Sequence, residues 1–62
     1  MPLVTIKILE GRTVAQKRAM AKDVTEAIVK NIGCQNAAVQ IEIVDLKKEN
    51  LAAGGKLFCD NP

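Results

Sequence analysis

The chain has 62 residues, nine of them basic and seven acidic for a net charge of +2, and it is 48% hydrophobic with one aromatic, Phe58. That length leaves room for a single domain, residues 1–62, and excludes an internal repeat or a second domain. Interspersed charge without a basic stripe, and no set of aromatics for stacking on bases, exclude nucleic acid as a partner.

No apolar run approaches the ~18 residues that span a membrane, and the N-terminus lacks a charged stretch followed by an apolar one, so no membrane segment and no secretory leader is expected. The expectation is a cytoplasmic protein with reduced thiols.

Leu3 to Leu9 alternates, with Val4, Ile6 and Ile8 on one face and Leu3, Thr5, Lys7 and Leu9 on the other. This predicts a strand with one strongly apolar face and one mixed face. Glu10-Gly11-Arg12 breaks the alternation. Thr13-Val14-Ala15-Gln16 then has the spacing of a capping box, in which the Thr13 hydroxyl and the Gln16 amide satisfy the first free amides of a helix. From Val14 to Ile32, apolar Ala21, Val24, Ile28 and Ile32 recur at three or four residues, with Met20 and Ala27 beside them. That periodicity predicts one amphipathic helix of about five turns.

Gly33 suits the left-handed residue that closes such a helix, and Lys30 sits near its negative end. After a short connection, Cys34-Gln35-Asn36, the residues Val39, Ile41 and Ile43 alternate with Gln40, Glu42 and Val44. A right-handed crossover would set this second strand parallel to the first. Beyond Asp45 the pattern weakens. Lys47-Lys48-Glu49-Asn50 reads as a solvated loop, Leu51 is isolated, and Ala52-Ala53-Gly54-Gly55 reads as a turn before Leu57-Phe58. The fold class is therefore α/β (α+β): a β-α-β subunit with parallel strands and a short C-terminal hairpin, expected to pack on a neighbouring subunit.

A two-stranded sheet covered by one helix leaves a face and its edges open. A chain this short rarely gains enough from its own core to offset the entropy of ordering it. Cys34 and Cys59 form one disulfide at most, far from the dense framework of small secreted domains. Association with other copies is the expected source of the remaining stability.

The sequence contains no His, Trp or Tyr. With two distant cysteines lacking partners at metal-ligand spacing, this excludes zinc sites, Ser-His triads and Cys-His pairs, and nothing calls for a metal or cofactor. Pro2 offers different chemistry. A small second residue permits removal of Met1, which leaves proline with a free secondary amine. Simple α-amino groups titrate near ~8, and an apolar pocket or nearby cations favour the neutral, proton-accepting form, which suits a general base. The plainer role of Pro2 is to open a strand where no ladder donor is needed. Arg12 is either a solvated turn residue or a guanidinium that grips a carboxylate in two-pronged geometry.

Taken together, Pro2, the alternating strand, Ile8-Leu9-Glu10-Gly11-Arg12, the Gln16-Lys17 pair, Val24-Thr25-Glu26-Ala27-Ile28 and Gly54-Gly55 resemble the 4-oxalocrotonate tautomerase family nearly end to end. The resemblance implies a homo-oligomer of β-α-β subunits, a hexamer built as a trimer of dimers. It implies a cofactor-independent isomerase in which an N-terminal proline moves a proton in the keto-enol conversion of a small unsaturated 2-hydroxy/2-oxo acid, 2-hydroxymuconate-like, in aromatic degradation. Pro2 would be the base and Arg12 the group that holds the substrate carboxylate, often across a subunit boundary. Gln40, Leu9 and Leu51 are expected to line the substrate site.

Two of these positions depart from the best-known members. Gln40 stands where they carry a second arginine, and Leu51 where they carry a pocket phenylalanine. Losing one charged donor from a site of developing enolate charge costs about 2.7–4 kcal/mol by analogy with an oxyanion donor. Two alternatives follow: a hydratase or dehalogenase of the same superfamily using the protonated amine, and a non-catalytic oligomer that binds carboxylates.

Overall fold

The two alternating segments form strands β1 (Leu3–Leu9) and β2 (Gln40–Leu46), which pair in parallel from Leu3 opposite Gln40 to Leu9 opposite Leu46. The structure, a computed structural model, describes residues 1–60. Residues paired across a ladder share a face. Val4, Ile6 and Ile8 therefore align with Ile41, Ile43 and Asp45, while Leu3, Thr5, Lys7 and Leu9 align with Gln40, Glu42, Val44 and Leu46.

Helix α1 (Val14–Ile32) returns the chain from the Leu9 end of the sheet to the Gln40 end. Its start is the expected capping box: Gln16 N donates to Thr13 Oγ1 at 3.1 Å, and Thr13 N donates to Gln16 Oε1 at 2.9 Å. Such a cap stabilises a helix by about 1 kcal/mol. At the other end Gly33 adopts φ 84°, ψ 30°, and its amide donates to Val29 O at 3.0 Å. An L side chain is strained in that region.

The helix residues partly shielded from solvent are Lys17, Met20, Ala21, Val24, Thr25, Ile28 and Val29. They recur at three and four positions, as one face of a 3.6-residue helix must. On the sheet, Val4, Ile6, Ile8, Ile41 and Ile43 are likewise half-buried while Thr5, Lys7, Gln40 and Glu42 are exposed. Lys17 Nζ meets Asp45 Oδ2 at 2.6 Å. The helix thus covers the isoleucine-rich face and leaves the mixed face open.

Three details differ from the sequence reading. Ile32 is 68% exposed, so the covered stripe runs through Thr25 and Val29 and does not extend to Ile32. Strand β2 continues to Leu46, because Leu46 O accepts from Glu10 N at 2.8 Å and Asp45 is held by Lys17. Ala52–Ala53 is strand β3 and pairs antiparallel with β4 (Lys56–Leu57), which leaves Gly54-Gly55 alone as the turn. With φ of 61° and 80° these glycines fit a two-residue hairpin turn that needs positive φ at both positions. Short 3₁₀ turns at Asn36–Ala38 and Lys48–Asn50 link the elements, and a third, Phe58–Asp60, follows β4.

Among the described residues none is fully buried. The accessible surface is 4844 Å², against roughly 3,900 Å² for a compact chain of 6.7 kDa. The radius of gyration is 14.7 Å, against about 10.5 Å expected at this length. Leu3, Val14 and Ile32 remain 70%, 66% and 68% exposed. Apolar surface on this subunit is thus arranged in a layer with only one side covered. No helix among the described residues is long and apolar enough to cross a membrane.

Candidate active site

Pro2 immediately precedes β1 and is half-buried; its carbonyl accepts from Gln40 N at 3.0 Å. Proline enters the sheet here without loss, because the bond uses its carbonyl and no N–H is required of it. The same bond sets Gln40 beside it. The Gln40 side chain is exposed and has no hydrogen-bond partner among the described residues. Pro2 and Gln40 therefore form a pair at one end of the sheet.

Leu9, Arg12 and Leu51 belong to the opposite end. Leu9 closes β1 opposite Leu46 and is half-buried. Gly11, at φ 113°, then turns the chain through a conformation closed to most residues, and Arg12 follows just before the helix cap. Arg12 is exposed, and its guanidinium makes no ion pair among the described residues. Leu51 leads from the turn after β2 into the terminal hairpin, where its carbonyl accepts from Phe58 N at 2.9 Å. It too is half-buried.

Strand β1 separates the two groups. Six steps of ~3.3 Å place its ends roughly 20 Å apart, beyond the reach of any arginine side chain. One subunit consequently does not bring Pro2 and Arg12 together, and among the described residues no enclosed cavity is present beside either group. Pro2 and Gln40 thus lie at one end of β1, and Leu9 and Arg12 at the other.

The sequence reading missed the Lys17–Asp45 pair. Its signal was two charges lying on apolar phases: Asp45 continues the Ile41, Ile43 alternation, and Lys17 sits on the Met20, Ala21, Val24 stripe. Cys34 and Cys59 are free thiols, half-buried and exposed respectively. Among the described residues no group of three or more His, Cys, Asp or Glu is placed to hold a metal ion.

A family model described as tautomerase enzyme matches residues 2–61. The Bacillus subtilis (strain 168) protein named 2-hydroxymuconate tautomerase is 40% identical over 60 residues, 97% of this chain and 97% of that one. The crystal structure of YwhB, a homologue of 4-oxalocrotonate tautomerase, superposes with a TM-score of 0.95 at 38% identity, covering 98% of this chain and 100% of the other. A heterohexamer 4-oxalocrotonate tautomerase from Chloroflexus aurantiacus J-10-fl superposes with a TM-score of 0.91 at 27% identity, covering 97% of each chain.

Proposed function

Because the chain belongs to the tautomerase family, we propose that it catalyses the keto-enol conversion of a small unsaturated 2-hydroxy/2-oxo acid, with Pro2 as general base once Met1 is removed. The observation that carries this reading is the placement of Pro2: it opens β1 through its carbonyl alone, so its nitrogen has no duty in the sheet. The family match also begins at residue 2.

In this reading the Pro2 amine accepts the proton of the enol hydroxyl and a proton is returned to carbon, so the carbonyl forms as the C=C bond moves or is lost. No redox partner is involved. Arg12 holds the substrate carboxylate with two parallel hydrogen bonds, the Gln40 amide donates to the 2-oxo oxygen, and Leu9 and Leu51 keep water from the amine.

The ~20 Å between the two ends of β1 supports a reading in which Arg12 serves the Pro2 of a different copy. The uncovered face and the excess surface support assembly, and we assign the chain, residues 1–62 as one domain, to a cytoplasmic homo-hexamer built as a trimer of dimers. The known heterohexameric relative is consistent with that number.

The test is ketonisation of phenylpyruvate and of 2-hydroxymuconate by protein whose mass establishes loss of Met1. Arg12→Ala is expected to lower kcat/KM by roughly 10- to 100-fold, mostly through KM, because charge-assisted hydrogen bonds contribute about 1.5–3 kcal/mol and 1.4 kcal/mol is tenfold. An unchanged KM would remove Arg12 from the site. Gln40 supplies a donor without charge, so the monoacid should suffer less than the diacid from the absence of a second cation.

A further inference from the structure

We propose that Lys17 and Asp45 form a positioning pair that fixes the Arg12 turn, an inference that rests on the role given to Arg12 above. The turn is enclosed by a ring of contacts. On its entry side Glu10 N donates to Leu46 O at 2.8 Å, which ties it to the end of β2. On its exit side Lys17 N donates to Thr13 O at 3.0 Å, the first bond of the helix. Lys17 Nζ then reaches Asp45 Oδ2 at 2.6 Å, and Asp45 precedes Leu46 in β2. Glu10, Leu46, Asp45, Lys17 and Thr13 thereby close a loop around Gly11-Arg12.

Every link in that ring except one is made by backbone atoms. The exception is the Lys17–Asp45 ion pair, whose side chains are 26% and 45% exposed. A pair so open to water contributes little to stability, so its value lies in geometry. It sets the helix start against the end of β2, and Arg12 is carried in the gap between them. Asp45 is also the one charged residue in the row Val4, Ile6, Ile8, Ile41, Ile43, Asp45 on the helix-covered face. A carboxylate there interrupts apolar packing and is matched by a lysine on the covered stripe of the helix.

The experiment compares wild type with Asp45→Asn, Lys17→Met, the double variant and Lys17→Arg, all in the assembled, Met1-free protein. Two measurements are made: ¹⁵N order parameters of Gly11 and Arg12, and kcat and KM for phenylpyruvate. The expected result is a fall in order at Gly11 and Arg12 from about 0.85 toward 0.6. KM should rise about tenfold with kcat within about twofold, since a loosened Arg12 loses part of its charge-assisted hydrogen bonding to the substrate carboxylate. The double variant should match the single variants, and Lys17→Arg should keep the wild-type values.

Unchanged order at Gly11 and Arg12 in assembled Asp45→Asn overturns the proposal whatever the turnover. So does loosening of the turn with KM unmoved, or a KM rise accompanied only by lost assembly. Wild type without turnover, with the turn still loosened in the variants, removes the catalytic reading and leaves the pair as the fastener of the turn.

Discussion

Pro2→Ala, in protein whose mass establishes loss of Met1, is expected to lower kcat/KM for enol-acid ketonisation by roughly 100-fold or more, within the 10²- to 10⁴-fold range of a positioned general base. Assembly should not change. The sheet uses only the carbonyl of residue 2, through the 3.0 Å bond from Gln40 N, and alanine keeps that carbonyl. Alanine also leaves a primary amine at the terminus, so some proton transfer survives. A protein retaining Met1 provides the stricter comparison: its Pro2 nitrogen is an amide with no lone pair available as a base, and its turnover should fall below that of Pro2→Ala. Equal rates in wild type, Pro2→Ala and the Met1-retaining form would exclude the amine mechanism.

The second large effect concerns Leu3. On a free subunit, replacing a side chain that is 70% exposed should change stability by no more than about 0.5 kcal/mol. If the open sheet face is covered by other copies, Leu3→Lys loses about 1.5–3 kcal/mol of apolar burial per subunit and sets an ammonium in a dry interface besides. In a hexamer that loss recurs at every subunit. Sedimentation at micromolar concentration should then show dissociation, and far-UV circular dichroism should show loss of helix, because no described residue of the lone subunit is fully buried. Wild-type unfolding midpoints should rise with protein concentration, as mass action requires of an oligomer. Leu3→Lys protein that stays assembled with an unchanged midpoint would show this face to be free.

Much of the fold was legible because its signals are local. Thr13 and Gln16 mark the helix start, Gly33 marks its end, and both ends fall where those residues place them. The alternation in Leu3–Leu9 likewise gave both faces of β1. Ala52-Ala53 was misread as turn because alanine has little strand preference, and here the glycine turn and pairing with Lys56–Leu57 decide the matter. Lys17 and Asp45 were missed for a related reason. They lie 28 positions apart, and only the return of the helix over the sheet brings them within 2.6 Å.

The candidate site was less legible than the fold. Pro2 and Arg12 stand only ten positions apart in the sequence, yet β1 is extended and carries them to opposite ends of the sheet. Helical residues at the same separation would lie only ~15 Å apart at 1.5 Å per residue. The residue types therefore suggested the chemistry, while the strand between them keeps Pro2 and Arg12 of one chain apart.

The site proposed here, shared between copies, carries a genetic consequence. In such a site a chain with a defective proline would still lend its arginine to a neighbour, and a chain with a defective arginine would still present a working proline. Two alleles, each inactive when assembled alone, would build some intact sites when expressed together, and a lesion at one end of β1 would be dominant or recessive according to which copies it meets.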